Sequence, residues 1–368
     1  MPEPLKNLFS KSFINELAEV LSETVPGFNK KLFVQKIFDK HWEEKELKQR
    51  MRHITLTLRE FLPDDFVKSS RIIVDISKNY IQKNGEGLSF LHMFLPEYIE
   101  LFGLDHYKES VKAFEQVTKF TSAEFAVRPF IIRYPEKMME QMLLWSNNKN
   151  MFVRRLSSEG CRPRLPWAMA LPELKKNPAS ILPILENLKN DDAETVRKSV
   201  ANNINDISKD NPEVVLSIIK KWKGKSKNTD WIIKHGARTL LKKGHEHVMH
   251  NFGLKQVSKI QISKFKLSST SINLGETLTF SFQLLNNESS DHKLRVDYAI
   301  YYMKSGGKQS KKVFRLTETT FPKQKTVLIT KKQRFIDFTT RKHHTGKHIL
   351  SVIVNGKEFA KKTFLLTR

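Results

Sequence analysis

Acidic residues are scarce in this sequence of 368 residues. It contains 39 aspartates and glutamates against 64 lysines and arginines, which gives a formal net charge of +25. A shortage of acid on this scale points to a polyanionic partner, most often nucleic acid, with an anionic membrane surface as the competitor. Because lysine is abundant throughout, a lysine-rich background composition is an alternative source of part of the excess charge.

Cysteine and long apolar runs are lacking as well. Cys161 is the only cysteine, which excludes a disulfide framework within the chain, fits a reducing cytoplasm and argues against a zinc site. No run of 18 apolar residues exists, so no membrane span is predicted. The first residues, MPEPLKNLFSK, lack an apolar segment, and no signal peptide is expected. We therefore expect a cytoplasmic protein.

The stretch 152–172, FVRRLSSEGCRPRLPWAMALP, has the most unusual composition. Four arginines, Arg154, Arg155, Arg162 and Arg164, accompany one carboxylate and one tryptophan. Arg155 and Glu159 share one face of a predicted helix that ends at Gly160, and prolines keep the chain extended until a second helix begins near Trp167. Guanidinium forks suit phosphate, and an aromatic ring beside a carboxylate suits a flat cation. The alternative is a surface helix with an ordinary ion pair and a buried tryptophan.

Residues 1 to about 255 show the apolar spacing of helices, interrupted by glycine, proline, asparagine or aspartate, and no strand signal. Three helix pairs in the middle of the chain can be superimposed. Their second helices open with Val153, Val196 and Ile232, which are 43 and 36 residues apart. This period is typical of HEAT-like or armadillo-like α-solenoids. A nonrepetitive helical bundle is the alternative.

The predicted helix at 195–209, TVRKSVANNINDISK, has an apolar stripe and an opposite polar side. The polar side contains Lys198, Ser199, Asn202, Asn203 and Asp206. It favours a binding surface, with an ordinary solvated helix face as the alternative. The matching helix, predicted over 231–242, carries Lys234, His235 and Arg238. Second helices line one side of a solenoid, so basic second helices would form a positive groove for a phosphate backbone.

From residue 259 the pattern changes to the alternation of β-strands. Leu278, Phe280, Phe282 and Leu284 alternate strictly, and an Asn355-Gly356 type I′ turn is predicted to close a hairpin. About seven short strands without a cysteine pair indicate an immunoglobulin-like sandwich that is not of the antibody type. This region has 22 lysines and arginines against 7 acids, which suggests that it too contacts a polyanion. We therefore predict a solenoid at 1–255 and a β-sandwich at 259–368.

Four segments of the helical region resemble the HEAT-like repeat DNA alkylation repair proteins, the AlkC and AlkD group of DNA glycosylases. They are SAEFAVRPFI at 122–131, FVRRLSSEGCRPRLPWA at 152–168, PILENLKND at 183–191 and VRKSVANNINDISKD at 196–210. The similarity is greatest to AlkC, and the β region resembles the immunoglobulin-like domain of one AlkC branch. The resemblance implies a mainly α fold, an α-solenoid followed by an all-β sandwich.

The resemblance also implies an activity, the excision of cationic methylated bases from double-stranded DNA with neither metal nor organic cofactor. The implied lesions are 3-methylcytosine, 1-methyladenine and 3-methyladenine. A bacterial, nucleoid-associated monomer is expected. By their motifs, Glu124, Glu159, Trp167 and Asp206 would be catalytic. Arg154, Arg155, Arg162 and Arg164 would hold the DNA backbone. The residues that would bind DNA from the second helices are Lys198, Asn202, Asn203, Lys234 and Arg238.

The chemistry can be argued without the family. Cleavage of an N-glycosidic bond develops positive charge on the deoxyribose, which a nearby carboxylate stabilises while it orients or deprotonates water. From the residues alone, each acid has a structural alternative, such as an ion pair of Glu124 with Arg128 or of Glu159 with Arg155. The competing functions are a noncatalytic nucleic-acid binder and a protein-binding scaffold.

Overall fold

The computed structural model describes residues 3–338 and 342–368. Helices fill the chain up to Asn251 and strands begin at Ile260. The α-helices are α1 Lys11–Thr24, α2 Lys30–Ile37, α3 Leu47–Arg59, α4 Phe66–Asn84, α5 Phe94–Phe102, α6 Tyr107–Val117, α7 Val127–Arg133, α8 Pro135–Trp145, α9 Met151–Glu159, α10 Pro172–Lys176, α11 Leu182–Leu188, α12 Glu194–Ile207, α13 Pro212–Trp222, α14 Lys227–Gly236, α15 Arg238–Lys243 and α16 Glu246–Asn251. Short 3₁₀ segments lie at Leu5–Leu8, Trp42–Glu44 and Ala179–Ile181.

The helices α9, α12 and α14 are the predicted second helices, and α12 packs against both α9 and α14. Two arginines make equivalent hydrogen bonds in successive repeats. Arg154 Nη1 donates to the carbonyls of Asn148 and Lys149 at 3.0 and 2.8 Å. Arg197, 43 residues later, donates from Nη1 to the carbonyls of Asp191 and Asp192. Each arginine thus holds the polar turn before its own helix, and the solenoid prediction is confirmed.

Two helices differ from the sequence prediction by more than a residue or two at their ends. The helix predicted to begin near Trp167 begins instead at Pro172, because Trp167 has a φ of 65° and lies in a turn. The helix predicted over 231–242 is divided into α14 and α15 between Gly236 and Arg238. Among the described residues, no helix is long and apolar enough to cross a membrane.

In the described part of the chain, eight strands, one more than the approximate prediction, form two sheets with the orders β1-β3-β6 and β2-β8-β7-β4-β5. They are β1 Ile260–Leu267, β2 Ser271–Asn273, β3 Thr277–Asn286, β4 His292–Met303, β5 Gln309–Phe321, β6 Thr326–Arg334, β7 Gly346–Val354 and β8 Lys357–Thr367. The alternating residues of β3 face the core as predicted, and Leu294, Val296, Tyr298 and Ile300 of β4 belong to the same core. Val354 pairs with Lys357 across Asn355 and Gly356, whose φ values are 44° and 82°, as a type I′ turn requires.

The described residues divide into two compact units. One contains the chain up to Asn211 together with Trp222–Gly236, and the other contains Pro212–Lys221 and Ala237–Arg368. The second unit therefore includes α15, α16 and all of α13 except Trp222, besides the sandwich. The domain limits 1–255 and 259–368 remain a prediction from the change of sequence pattern.

Candidate active site

Helix α9 positions the first part of the site. Asn150 caps it, because its side-chain oxygen accepts hydrogen bonds from the backbone amides of Phe152 and Val153 at 2.9 and 3.4 Å. The helix then carries Arg155 and Glu159 one turn apart, with 3.9 Å between Nη2 and Oε1. The predicted pair on one helix face is therefore present.

Five side chains form a continuous series of ion pairs, which we call the ion-pair chain: Glu124, Arg155, Glu159, Arg162 and Asp206. Arg155 Nη2 lies 2.8 Å from Glu124 Oε2. Arg162 Nη1 lies 2.6 Å from Glu159 Oε1, and its Nε lies 2.9 Å from Asp206 Oδ2. The three carboxylates come from separate parts of the sequence, and the two arginines link them into one cluster.

The ion-pair chain is largely shielded from solvent, and its oxygens are used unequally. The side chains of Glu159 and Asp206 are only 7% and 2% exposed. Asp206 uses both oxygens, since Oδ1 also accepts from Lys209 Nζ at 3.0 Å. In contrast, no hydrogen bond from the described residues reaches Glu124 Oε1 or Glu159 Oε2. These two oxygens can accept hydrogen bonds from a ligand.

Trp167 lies on the turn that follows Arg162 and is 58% exposed. The alternative of a buried core tryptophan is therefore wrong. Its positive φ is a strained backbone conformation for a residue with a side chain, and Lys48 Nζ donates to its carbonyl. The indole lies 6.3 Å from the Phe90 ring, measured between centroids. An exposed indole in this position is available to stack on a ligand.

The other two arginines of the stretch are paired with acids that the sequence analysis did not consider. Arg164 makes a bidentate pair with Asp210 at 2.7 and 2.6 Å, which raises the pKa of Arg164 and lowers the pKa of Asp210. Arg154 makes a bidentate pair with Asp191 at 2.6 and 3.0 Å, which raises the pKa of Arg154. Since the third nitrogen of Arg154 holds backbone carbonyls, its geometry favours a structural role over a phosphate contact.

The predicted DNA contacts of Arg162 and Asn203 need correction. Arg162 is 7% exposed and both its hydrogen-bonded nitrogens face carboxylates, so it orients the acids. Asn203 is fully buried and donates to the Ser158 carbonyl at 2.8 Å and to Cys161 Sγ at 3.5 Å. The polar side of α12 is thus partly an internal surface, where Ser199 is also buried.

The remaining predicted DNA-binding residues reach solvent to different degrees. Lys198 is exposed and pairs with Glu194 at 2.7 Å, one turn earlier on α12. Asn202, Lys234 and Arg238 are half-buried. Their contact with DNA stays a prediction.

Two contributors to the cluster were missed by the sequence analysis. Ser122 accepts from Arg155 Nη1 at 2.9 Å and donates to Glu124 Oε2 at 2.7 Å, so it fixes both groups. Lys209 binds Asp206 from one turn away. The i+3 spacing of Asp206 and Lys209 was the available signal for the second contact, whereas Ser122 carries no spacing signal. In the described part of the chain, no three histidine, cysteine, aspartate or glutamate residues are grouped to hold a metal ion.

Two family profiles match the sequence. Residues 97–248 match the family described as DNA alkylation repair enzyme. Residues 261–368 match the C-terminal Ig-like domain of the uncharacterised protein YhaZ. Together they cover the helical region from α5 onward and nearly all of the strand region.

Two full-length relatives extend these matches. The chain is 43% identical over 353 residues to the uncharacterized protein YhaZ of Bacillus subtilis (strain 168), covering 96% of each protein. Its structure is similar to that of the Pseudomonas fluorescens alkylpurine DNA glycosylase AlkC bound to DNA containing an abasic site analog. The TM-score is 0.92 and the identity 35%, with both chains covered completely.

Proposed function

Because the chain belongs to the family of DNA alkylation repair enzymes that includes AlkC, we propose that it excises cationic methylated bases from double-stranded DNA. It is a DNA glycosylase of this family, and the proposed substrates are 3-methylcytosine, 1-methyladenine and 3-methyladenine. The proposed reaction is hydrolysis of the N-glycosidic bond without strand cleavage. The protein acts as a cytoplasmic monomer on the chromosome.

The observation that carries this proposal is the convergence of three carboxylates on two arginines. Glu124, Glu159 and Asp206 lie in one ion-pair chain, and two of their oxygens remain available to a ligand. A protein that only grips phosphate gains nothing from acids at its binding surface, since like charges repel. Carboxylates held in fixed positions are instead suited to a reaction that develops positive charge.

The reaction places few demands on acid catalysis. A cationic methylated base leaves with the electron pair of the N-glycosidic bond and becomes neutral. Positive charge then develops on the deoxyribose, in an oxocarbenium-like transition state. The oxygen of water bonds to C1′, and its proton passes to a carboxylate acting as general base. We assign the stabilisation of charge and the orientation of water to Glu124 and Glu159, with Asp206 contributing the third negative charge.

Trp167 and the accessible cations supply binding. The exposed indole offers a π-face to a cationic base or to the sugar. Arg164 and Lys198 are the predicted phosphate contacts with the greatest exposure, and each would exchange its acidic partner for a phosphate. Asn202, Lys234 and Arg238 remain proposed contacts along α12, α14 and α15.

The test is base release under single-turnover conditions from duplex oligonucleotides that contain one 3-methylcytosine, 1-methyladenine, 3-methyladenine or no lesion. We expect alkali-labile sites in the methylated strands with the wild type and their loss with Asp206→Ala. Strand breaks before alkali treatment would contradict the hydrolytic mechanism. Tight, salt-sensitive binding without base release from any substrate would replace the glycosylase with a noncatalytic DNA-binding protein.

A further inference from the structure

Arg128 is a fully buried arginine of α7 that the proposed chemistry does not use. Its guanidinium binds the backbone of the turn between α9 and α10. Nη1 donates to the carbonyls of Gly160 and Arg162, both at 2.9 Å. Nε donates to the carbonyl of Met169 at 2.7 Å. One side chain therefore holds both ends of the segment 160–169.

This segment is the part of the site with the least regular structure. It starts directly after Glu159 and carries Arg162 and the strained Trp167. Only the first residues continue the helical hydrogen bonds, since Gly160 N donates to the Leu156 carbonyl at 2.8 Å and Arg162 N to the Glu159 carbonyl at 3.3 Å. Beyond Arg162, Ala168 N donates to the Leu165 carbonyl at 3.3 Å, and the Pro163 carbonyl accepts from Leu171 N at 3.2 Å. Since no helix or sheet ladder holds the turn, a side chain from another element must determine its shape.

Stabilisation of the fold does not by itself explain why an arginine occupies this buried position. A buried charge is costly unless it is paired with an opposite charge. Among the described residues, the hydrogen bonds of Arg128 go only to neutral carbonyls. Its Nη2 is buried without a hydrogen-bond partner among the described residues. Burial lowers the pKa of Arg128 to about 10, and Asp206 and Glu124 act in the opposite direction. Arg128 is thus a buried cation that interacts electrostatically with Asp206 and Glu124, although its hydrogen bonds go to the backbone of the turn.

We propose that Arg128 is a positioning residue: by holding the carbonyls of Gly160, Arg162 and Met169, it fixes Trp167 relative to the carboxylates of the ion-pair chain. Arg128 does not touch the DNA. This inference rests on the proposed function for its effect on rate, but its effect on the turn can be measured without any substrate. A displacement of catalytic groups by about 1 Å can cost about 100-fold in rate.

The variant is Arg128→Lys, which keeps the charge but cannot reach three carbonyls from a planar fork. Arg50→Lys is the matched control. Arg50 is also buried and donates to two backbone carbonyls, those of Lys45 and Lys6, both at 3.2 Å. It belongs to neither the ion-pair chain nor the turn. Both variants should lower the melting temperature, so this comparison separates positioning from general stability.

Two measurements are made on the full-length protein below its melting temperature. With Arg128→Lys, we expect the single-turnover rate of base release to fall about 10- to 100-fold, while affinity for the duplex changes less than about threefold. Hydrogen exchange of the amides in 160–171 should become faster. With Arg50→Lys, the rate and the exchange in 160–171 should equal those of the wild type.

The inference is overturned if exchange in 160–171 is unchanged in Arg128→Lys, or if both variants lose rate in proportion to their melting temperatures. Should the wild type release no base, the proposed function fails. The exchange measurement then still decides whether Arg128 determines the turn. Should Arg128→Lys not fold, Arg128→Gln, which removes the charge and retains amide donors, takes its place with the same expected and contrary results.

Discussion

Asp206 and Asp210 lie one turn apart, and both pair with an arginine of the stretch 152–172. Asp206 is buried and belongs to the ion-pair chain, whereas Asp210 forms a more exposed bidentate pair with Arg164. The two aspartates therefore differ in surroundings while sharing residue type and type of partner. The same substitution at both aspartates therefore tests the catalytic role of Asp206, with Asp210 as the control.

Asp206→Asn should lower the single-turnover rate of base release by about 100- to 1,000-fold, because it removes one negative charge from the site where positive charge develops. Affinity for undamaged duplex should be unchanged or higher, since an acid that opposes phosphate is lost. Asp210→Asn serves as the control and should retain the rate. A folded Asp206→Asn protein with wild-type rate would remove Asp206 from the mechanism.

Glu100 on α5 provides a pH-dependent prediction. Burial, followed by the charge of Glu97, raises the pKa of Glu100 from 4.5 to about 7. The folded state thus binds this proton more tightly than the unfolded state does, and this contribution to the free energy of unfolding is lost as the pH rises from 4.5 to 7. Glu100→Gln should therefore be about 1–2 kcal/mol more stable than the wild type at pH 8.

Denaturant unfolding at several pH values measures this difference, which should disappear below pH 4.5. Glu97→Gln is the control on the same helix. Glu97 accepts from Arg52 Nε at 2.7 Å and from Thr55 Oγ1 at 2.9 Å, so its neutralisation should destabilise the protein. If Glu100→Gln and the wild type had the same free energy of unfolding at pH 8, ionisation of Glu100 would not destabilise the folded protein.

At the scale of elements, a turn and a helix end meet in the second unit. Gly244 follows α15 with a φ of 70°, and Gly356 forms the β7–β8 turn with a φ of 82°. A Cβ on Gly356 would lie 2.5 Å from Gly244 Cα. Glycine is therefore required at both positions, because each has a positive φ and the two backbones lie too close together for a Cβ atom.

Gly356→Ala should lower the free energy of unfolding by about 1–3 kcal/mol, and hydrogen exchange should become faster in β7 and β8. Gly306→Ala, in the β4–β5 turn, is the control, because no atom lies within 4 Å of its Cβ position and its φ is not in the positive region. Its stability should be close to that of the wild type. If Gly356→Ala were equally stable, the approach of α15 to the hairpin could not be a structural requirement.

At the scale of the whole molecule, the net charge of +25 dominates the expected interaction with DNA. Binding of a polycation to duplex DNA releases counterions, so affinity falls linearly on a log–log plot against salt. We expect a steep slope for undamaged duplex. Lys198→Ala should reduce the slope by about 0.9 if this residue contacts one phosphate.

Lys78→Ala is the control for this measurement, since Lys78 is an exposed lysine of α4 that pairs with Asp75 one turn away. Fluorescence anisotropy with a labelled duplex at several salt concentrations gives both slopes. An equal slope for Lys198→Ala and the wild type would exclude Lys198 from the DNA interface.

The class and order of the elements could be predicted from the amino-acid sequence alone. Helical spacing, the recurrence of Val153, Val196 and Ile232, and the alternation around Phe280 are local patterns, and local backbone preference with a repeated apolar face is sufficient to produce them. The pair of Arg155 and Glu159 was predictable for the same reason, since residues four apart meet on a helix. The resemblance to the family added the candidate acids by motif.

The contacts that these residues make became visible only in the folded chain. It joined Glu124 and Asp206 to Glu159 through two arginines, buried Arg162 and Asn203, and exposed Trp167. Such outcomes depend on contacts between residues distant in sequence, where the burial of a polar group is decided by which partner is within hydrogen-bond reach. Arg128 follows the same rule: its carbonyl partners lie 32 to 41 residues away, and no pattern along the chain indicates that they would meet.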